Sequence, residues 1–573
     1  MSKTVADVMV DVLKEAGARR CYGVAGDTLN YFTDAVRRSE LRWVHVRHEE
    51  AGGFAAGADA LLTGELALCA GSCGPGGLHF INGLWEANRN RAPVVLIASQ
   101  VVREELGFDF PQEVDFKSVY AKGTVFCEEI RTPEQARRMT VMAAQTALAK
   151  RGVAVLIVPV DISSAKAPDE PAFAVHRASP VTRPSDDELT RVAAAIEAGK
   201  KIAIYGGVGC EHAKKQVLAL AAHLAAPVAR TSKAKDFLEH ANPFDVGMTG
   251  IFGAEGGYHT LLECDTLILL GCDFAWRQFY PSKATIIQID IDASHLGRRH
   301  PVDVAVVGDI APTIDALLPR LRQRDDASFL EDSLKRNRKA HDRQEARAVE
   351  GSHGVVHPQF LAETIARHAA PDAVYTADGG SPMVWCLRHV PSTGMNRTLV
   401  SLSHGTMANA MPQALGAQVA YPQRQVISMS GDGGLAMLMG DLLTTVQEQL
   451  PIKVVVFNNS SLGFVEIEQK VEGLLDTYTD LKNPDFSRVA EAIGLWGRRV
   501  ERPEDLDAAV AEWLATPGPA LLDVVVERNE LVMPPKVEAK QVLGMALYSA
   551  KGILAGGDRA KGVLDLIGDA LRP

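Results

Sequence analysis

Residues 424–434, RQVISMSGDGG, and residues 452–459, IKVVVFNN, carry the pattern that decides the fold of this chain. Each is a short run of mostly apolar residues that ends abruptly in glycine, aspartate or asparagine. Such runs are typical of strands in a parallel sheet whose two faces are covered by helices. Because parallel strands end at the same edge of a sheet, the two polar ends are predicted to meet in one crevice.

Similar runs recur along the chain and alternate with helical patterns. Examples are PVVLIASQ and AVLIVPV before residue 165, then KIAIYGG, DTLILLG and TIIQIDI, and then AVYTADGG. This alternation predicts an α/β fold with three doubly wound parallel-sheet domains. A chain of 573 residues also exceeds the size of a single hydrophobic core.

Two stretches without apolar periodicity separate the blocks of strands. One is residues 164–186, rich in proline, alanine and serine, and the other is the charged segment 321–356. They predict three domains and a C-terminal tail, with the bounds 1–180, 181–335, 336–530 and 531–573.

The composition excludes several classes of protein. A net charge of −11 argues against a nucleic-acid-binding protein, which needs clustered lysine and arginine. Eight cysteines without a CxxC pair favour reduced thiols in a cytoplasmic protein over disulfides or zinc. The N-terminus lacks the pattern of a signal peptide, and the longest apolar runs have the length of strands. We therefore expect a cytoplasmic body that does not span a membrane.

The two polar strand ends have the chemistry of a magnesium–diphosphate site. Asp432 and Asn459 offer the oxygen ligands that Mg²⁺ prefers, and Mg²⁺ commonly shares its shell with bound phosphates. Gly433 and Gly434 allow the backbone to approach a diphosphate closely. Taken alone, GDGG is more often an ordinary glycine turn, but its pairing with a second polar strand end favours the site.

This pair of motifs resembles the diphosphate-binding motif of thiamine-diphosphate-dependent enzymes. Along its whole length the chain resembles one branch of them, the quinone-dependent pyruvate dehydrogenases, which are acetate-forming pyruvate oxidases. Residues 47–50, RHEE, precede an Ala/Gly-rich helix, and the resemblance implies that Glu49 hydrogen-bonds the aminopyrimidine ring of the cofactor. A carboxyl group there favours the reactive imino tautomer of the ring. Without the other motifs, RHEE is more often a solvated charge cluster.

Two further segments agree with the resemblance. The glycine-rich loop at residues 69–82 contains His79, at the position of an active-site histidine in pyruvate oxidases. The segment at residues 403–409 places Gly405, Thr406 and Met407 at the cofactor, with Met407 as the side chain that holds it bent. The structural alternatives are a core histidine with local partners and a methionine that fills a gap in the core.

The middle block resembles the FAD-binding segments of pyruvate oxidases and acetohydroxyacid synthases. It contains GMTGIFG at residues 247–253, GCDFAWR at residues 271–277 and IDID at residues 289–292, but no GxGxxG. The alternative is the decarboxylase branch, which keeps a similar domain without flavin. The residues that the resemblance implies for FAD are Gly250, Ile251, Phe252, Gly253, Asp273, Phe274, Ala275, Trp276, Arg277, Asp290 and Asp309.

The segment after the two asparagines resembles the substrate loop of the pyruvate-oxidising enzymes. In it Phe464 corresponds to their mobile aromatic residue and Glu468 to their active-site acid. The chain departs from the family at residues 110–113, FPQE, where the family usually has Phe-Gln-Glu. This departure concerns the shape of the substrate pocket.

The resemblance implies oxidative decarboxylation of pyruvate to acetate and CO₂, with thiamine diphosphate, Mg²⁺ and FAD, and with a membrane quinone as electron acceptor. It also implies a homo-oligomer, at least a dimer and by expectation a tetramer, because the family builds each site between two subunits. Three alternatives stay open: acetolactate synthase, phosphate-dependent pyruvate oxidase, and a catalytically inactive scaffold on the same fold.

The C-terminal tail is predicted to end in an amphipathic helix at residues 558–572. Periodicity alone favours a helix that packs on its own domain. The quinone-dependent enzymes carry a similar segment that docks on lipid, so the resemblance implies peripheral association with the inner face of the cell membrane.

Overall fold

The computed structural model describes residues 3–169, 171, 173–347, 351–352, 354–528, 530 and 539–555. Three six-stranded sheets follow one another along the chain, and every strand pair within them is parallel. This confirms the predicted α/β fold with three parallel-sheet domains. The helix predicted over residues 558–572 lies outside the described residues.

The first sheet uses strands from the N-terminal part of the chain. They are β1 (Arg20–Gly23), β2 (Arg42–His45), β3 (Ala67–Gly71), β4 (Val94–Gln100), β5 (Phe126–Glu129) and β6 (Val153–Pro159). The strand order is β2-β1-β3-β4-β6-β5. The central strands β3, β4 and β6 are buried along their entire length, as their apolar sequences predict.

The second sheet lies in the middle of the chain. Its strands are β7 (Ile202–Gly206), β8 (Val228–Arg230), β9 (Asp245–Met248), β10 (Thr266–Leu270), β11 (Thr285–Asp290) and β12 (Val304–Val307). They are arranged in the order β12-β11-β10-β7-β8-β9. This is the order of the doubly wound sheets that bind dinucleotides.

The third sheet follows a short antiparallel hairpin. The hairpin is β13 (Gly351–Ser352) and β14 (Val355–Val356), and the sheet is β15 (Val374–Ala377), β16 (Arg397–Val400), β17 (Val426–Gly431), β18 (Lys453–Asn458), β19 (Trp496–Val500) and β20 (Ala520–Val525). Its order, β16-β15-β17-β18-β20-β19, repeats the topology of the first sheet. The chain sequence shows no repeat that would have predicted this.

Helices cover the faces of the three sheets. In the first domain they are α1 (Val5–Glu15), α2 (Asn30–Arg37), α3 (Glu49–Thr63), α4 (Pro75–Leu78), α5 (Ile81–Arg89), α6 (Phe116–Tyr120), α7 (Ala136–Lys150) and α8 (Val160–Ser164). In the second they are α9 (Asp186–Ala198), α10 (Lys214–Leu224), α11 (Lys235–Leu238), α12 (Glu255–Glu263), α13 (Ile310–Leu317) and α14 (Ser328–Arg347).

The remaining helices belong to the C-terminal third of the chain. They are α15 (Pro358–His368), α16 (Ser381–His389), α17 (Ala410–Ala420), α18 (Asp432–Met437), α19 (Leu442–Gln447), α20 (Gly463–Val471), α21 (Phe486–Ala492), α22 (Leu506–Ala515) and α23 (Ala539–Ala555). Helix α14 runs unbroken through residue 335, the predicted boundary between two domains. The domain bounds themselves stay a prediction.

Helices α3 and α17 join the first and third domains. The surfaces in contact are rich in alanine and glycine, and a side chain at Gly416 would place its Cβ 2.0 Å from the carbonyl oxygen of Ala55. At the end of the contact, the Tyr421 hydroxyl donates to the Leu62 carbonyl at 2.6 Å. One hydrophobic cluster therefore runs through both domains.

We expect Gly416→Ala to destabilise the protein, because the backbone of Ala55 leaves no room for a methyl group. Overpacking of this kind costs about 1–3 kcal/mol. Calorimetric melting should show a lower Tm than that of the wild type. Gly440→Ala is the matched control, since nothing lies within 4 Å of a Cβ at that position. Equal melting of the two variants would contradict the close approach of α3 and α17.

Candidate active site

In the third sheet the chain adds β16 on one side of β15 and then crosses back to add β17 on the other side. The strand order therefore changes direction between β15 and β17. A cleft with an empty volume of about 700 Å³, including its open mouth, lies at the carboxyl ends of these strands. A crevice at such a switch point is the usual ligand site of an open α/β sheet. The predicted residues that line it are Met407, Asp432, Gly433, Gly434, Asn459 and Phe464.

Asp432 is buried at the bottom of this cleft. Its Oδ1 accepts a hydrogen bond from the Gly433 amide at 2.8 Å, and its Oδ2 accepts bonds from the Ser460 amide at 2.7 Å and from Asn483 Nδ2 at 2.8 Å. Burial raises the pKa of the Asp432 carboxyl group, while these hydrogen bonds act in the opposite direction. A bound cation would remove the cost of this buried charge.

The two asparagines that end β18 have different roles. Asn458 points into the domain, where its Nδ2 donates to Asp523 at 2.9 Å and its Oδ1 accepts from Asn483. Asn459 lines the cleft, and among the described residues its side-chain oxygen accepts a hydrogen bond from the Ser461 amide alone, at 3.1 Å. The structure therefore brings Asp432 and Asn459, the predicted metal ligands, to one wall of the cleft.

Neighbouring atoms lie so close to this wall that a residue larger than glycine would not fit at two of its positions. A Cβ at Gly433 would lie 2.8 Å from Leu462 and 3.4 Å from the terminal methyl of Met407, and a Cβ at Gly434 would lie 2.3 Å from Asp378 Oδ2. Met407 thus faces the turn that carries Asp432, and its role in bending the cofactor stays a prediction. Gly405 and Thr406 do not line the cleft; they lie before Met407 on the loop that carries it.

Asp378 is a cleft residue that the sequence interpretation missed. It follows β15 and is completely buried, and its carboxylate accepts hydrogen bonds from the amides of Ala410 at 2.9 Å and Gly431 at 3.2 Å. Burial raises its pKa to about 7. The signal was present in AVYTADGG, a strand that ends in Asp-Gly-Gly as β17 does. Asn483, by contrast, belongs to no recognisable motif.

Of the two predicted substrate-loop residues, only Phe464 lines the cleft. Glu468 is exposed on α20 and lies outside the lining. The buried acid of this helix is Glu466, which bonds Lys470 Nζ at 2.7 Å and Arg528 Nη2 at 3.0 Å. These cations, opposing the effect of burial, lower the pKa of Glu466. Neither Glu466 nor Arg528 was predicted.

Glu49 and His79 lie together but away from the cleft. Glu49 begins α3, and its Oε2 is 3.0 Å from His79 Nδ1. The His79 ring stacks on His48 with centroids 4.7 Å apart. Every residue that lines the cleft comes from position 358 or later, so one chain does not bring Glu49 to Asp432.

The predicted FAD segments meet at the carboxyl edge of the second sheet. Gly250 has a φ of 106°, a left-handed conformation, and a Cβ there would lie 3.2 Å from Phe274. Phe252 and Phe274 both pack edge-on against Trp276, with centroids 6.2 and 5.6 Å away. Ile251 packs against the adjoining core, and the carbonyl oxygen of Gly253 accepts from Arg388 at 3.2 Å.

Three of the polar residues predicted to bind FAD form ion pairs or hydrogen bonds within the protein. Asp273 pairs with Arg298 and Arg299, and Asp290 is buried 3.2 Å from His295 Nδ1. Asp309 accepts from the Thr182 amide at 2.7 Å. Ala275 and Arg277 are exposed.

Two features of this edge fit a dinucleotide. The strand order is that of dinucleotide-binding sheets, with its switch point between β7 and β10. The hydroxyl groups of Thr231 and Thr249, directly after β8 and β9, are buried and have no hydrogen-bond partner among the described residues. Buried polar groups normally have partners, so these hydroxyls suit a polar ligand.

Three stretches of the chain match known protein families. Residues 3–119 match the N-terminal TPP binding domain of thiamine pyrophosphate enzymes, residues 189–317 match their central domain, and residues 378–524 match their C-terminal TPP binding domain. The chain belongs to the thiamine pyrophosphate enzyme family. The third match begins at Asp378 and contains Asp432, Gly433, Gly434 and Asn459.

Several family members resemble the chain over nearly its full length. It is 34% identical over 556 residues, 96% of each chain, to a putative thiamine pyrophosphate-containing protein, YdaP, of Bacillus subtilis. It is 30% identical to a pyruvate oxidase of Lactiplantibacillus plantarum, covering 90% of this chain and 88% of that one. It is also 30% identical to acetolactate synthase isozyme 2 large subunit of Escherichia coli, covering 92% and 96%. Identity alone therefore does not choose between the last two reactions.

The cleft fits the thiamine pyrophosphate of this family. It offers a buried carboxylate, an amide oxygen and a turn whose glycines have no space for a side chain. None of the helices in the described part of the chain is long and apolar enough to cross a membrane.

For this family member, we expect Asp432→Ala to weaken binding of thiamine diphosphate with Mg²⁺ much more than binding of FAD. The loss should reach about 100-fold or more, because residues that merely support a metal ligand already contribute about 10–100-fold. Calorimetric titration of each cofactor measures the effect. Asp505→Ala, which breaks only a surface ion pair with Arg502, is the control. Equal loss of both cofactors would indicate misfolding instead.

Proposed function

We propose that the protein oxidatively decarboxylates pyruvate to acetate and CO₂ and passes two electrons through FAD to a membrane quinone. The observation that carries this proposal is the contact between its two cofactor regions. Phe464 lines the cleft of the third domain, and its ring centroid lies 6.2 Å from that of Phe252 in the second domain. An enzyme that moves electrons from one cofactor to the other needs the two sites to adjoin.

Each cofactor has a set of residues to hold it. Asp432 and Asn459 would hold Mg²⁺, Gly433 and Gly434 would admit the diphosphate, and Met407 would support the bend of the cofactor. The segments around Gly250 and Trp276, with Asp290 and Asp309, would hold FAD. When bound, thiamine diphosphate supplies an electron sink for decarboxylation and FAD accepts the two electrons.

The Glu49 carboxyl group would bind the aminopyrimidine ring and hold a proton at the ring nitrogen. His79 adjoins it, so this pair can exchange a proton between Oε2 and Nδ1. Because Glu49 and Asp432 do not share a cleft within one chain, we assign the complete site to two copies. The symmetric homodimer contains two such sites, and two dimers form the proposed tetramer.

Exposed apolar side chains support this assembly. Phe108 and Phe110 project from the first domain, and Met437, Val465 and Tyr478 from the third, near the cleft. Apolar surface of this kind is typical of protein–protein contacts. A second copy that brings its Glu49 edge to the cleft would cover both groups.

The second candidate function is acetolactate synthesis, which the E. coli relative favours. Phosphate-dependent pyruvate oxidation is a further variant, in which electrons go to oxygen. An inactive scaffold is the alternative of a different class, but it would not need a buried Asp432 beside Asn459 and Met407.

The quinone and the lipid bilayer are the proposed partners of the C-terminal tail, at the inner face of the cell membrane. Helix α23 lies against α20, which carries Phe464, and Gly544 is so close to Val471 that no side chain fits. The Tyr548 hydroxyl donates to Asp476 at 3.2 Å. The tail therefore contains a helix that packs against α20, and its last residues, 556–573, follow this helix in the chain.

The shared site predicts complementation. Glu49→Gln should lower turnover by about 100-fold or more, because it removes the carboxyl group without changing its shape. Mixed dimers of Glu49→Gln and Asp432→Ala each contain one intact site, so an equal mixture, unfolded and refolded together, should recover about a quarter of wild-type activity. Steady-state decarboxylation assays measure this. No recovery in mixed dimers would contradict a site built from two copies.

The choice of reaction can be tested on the flavin. Pyruvate added without oxygen should bleach the visible absorbance of the bound FAD, because electrons from the substrate reduce it. A soluble quinone should then restore the absorbance faster than air does. An unbleached flavin with acetolactate as product would assign the protein to the synthase reaction.

The proposed membrane partner predicts that pyruvate increases flotation of the protein with anionic liposomes. Deletion of residues 551–573 should abolish the increase and raise basal activity with a soluble acceptor. A variant that lacks only residues 558–573 keeps α23, so it separates the effect of these last residues from the effect of the helix. Flotation that changes neither with pyruvate nor with the deletion would contradict membrane docking.

A further inference from the structure

Lys233 lies where the three domains meet. It follows β8 in the second domain, and the residue is partly buried. It donates to Asn90 Oδ1 of the first domain at 2.6 Å and to Ser403 Oγ of the third domain at 2.7 Å. One side chain therefore connects all three domains through two charge-assisted hydrogen bonds.

A buried carboxyl group completes this junction. Glu86 is 2% exposed, and its Oε1 accepts from Asn90 Nδ2 at 2.6 Å. Its Oε2 accepts from the Ser401 hydroxyl at 2.8 Å, and Ser401 Oγ in turn accepts from the amides of Gly405 and Thr406, both at 3.0 Å. The loop at residues 401–406 is thus folded around Ser401 and fixed by Glu86 and Lys233.

A strained residue follows this loop. Gly405 has a φ of 75°, which glycine adopts without strain, whereas Ala408 has a φ of 64°. A residue with a side chain keeps this left-handed conformation only where the surroundings impose it. Met407, which faces the diphosphate-binding turn, lies between these two residues.

We propose that Lys233 is a positioning residue for thiamine diphosphate, because it fixes the loop that presents Met407 to the cofactor. This inference rests on the proposed function. It assigns to the second domain a part in binding a cofactor that this domain does not touch.

A positioning role differs from a structural role in its dependence on charge. Dense packing lowers the pKa of Lys233 to about 8, an effect that Glu86 opposes and Arg91 reinforces. The other charged or titratable groups at the junction are Arg89, which donates to the Ser403 carbonyl at 3.4 Å, and His404, whose pKa is lowered by burial and by Arg89. Above pH 8 the ammonium loses its charge, whereas an arginine at this position would stay charged.

The test measures the affinity of the full-length protein for thiamine diphosphate with Mg²⁺ by calorimetric titration. Lys233→Met should raise the Kd about tenfold or more, since it removes two charge-assisted hydrogen bonds that fix the loop. Lys233→Arg should restore most of the affinity. Lys283→Met is the control, because this lysine of the same domain is exposed; its Kd should equal that of the wild type.

The second measurement compares pH 7 with pH 9. The wild-type Kd should rise with pH, and the Lys233→Arg Kd should change much less. Parallel changes in both proteins, or a Lys233→Met Kd equal to that of the wild type, would overturn the inference.

Three further outcomes are decisive. If Lys233→Met fails to fold, Ser403→Ala removes only the acceptor on the loop; it should raise the Kd severalfold, and an unchanged Kd overturns the inference. If the wild type itself does not bind thiamine diphosphate, the proposed function fails. If the wild type and the variants bind thiamine diphosphate equally well, the role of Lys233 is refuted and the proposed function is not affected.

Discussion

In a parallel sheet every strand ends at the same edge, and the order of the strands decides which ends become neighbours. In this protein the third sheet places the ends of β15 and β17 side by side at the point where the chain reverses direction. Asp378 follows one strand and Asp432 the other, and the cleft opens between them. The remaining features of the site depend on this constraint. The glycines allow the two turns to approach, and Asn459 reaches the same wall from the neighbouring strand.

The residues of the site are held in place by contacts between domains as well as by contacts within each domain. Helix α3 carries Glu49 at its start and packs along α17 of the third domain, where Gly416 allows the two backbones to touch. The loop before α17 carries Met407 and is fixed by Glu86 of the first domain and Lys233 of the second. The Phe252 ring of the second domain meets Phe464 of the third. Each domain thus supplies groups that orient residues of another, and the first and third domains also share one hydrophobic cluster.

The sequence predicted the fold class and much of the cleft because these depend on local patterns. Short apolar runs that end in glycine, acid or amide residues identified the strands and, with them, Asp432 and Asn459, whereas Met407 came from the family resemblance. The same pattern was present at Asp378 and was overlooked. Asn483 and Arg528 had no local signal, because loops bring Asn483 to Asp432 and Arg528 to the cleft from elsewhere in the chain. On α20 the Glu468 side chain is exposed and Glu466 is buried, and the role of Glu468 stays a prediction.

The sequence by itself determined that three parallel sheets form, that two strands end in polar, glycine-rich turns, and that the chain resembles thiamine-diphosphate enzymes. These follow from residue types and spacings along the chain, which set the strands and the polar groups at their ends. Only the tertiary structure decided that the first and third sheets share one topology, that the three domains meet at Lys233, and that Glu49 and Asp432 lie apart within one chain. Such facts depend on strand order and on long-range packing, and neither can be recognised from a short stretch of sequence.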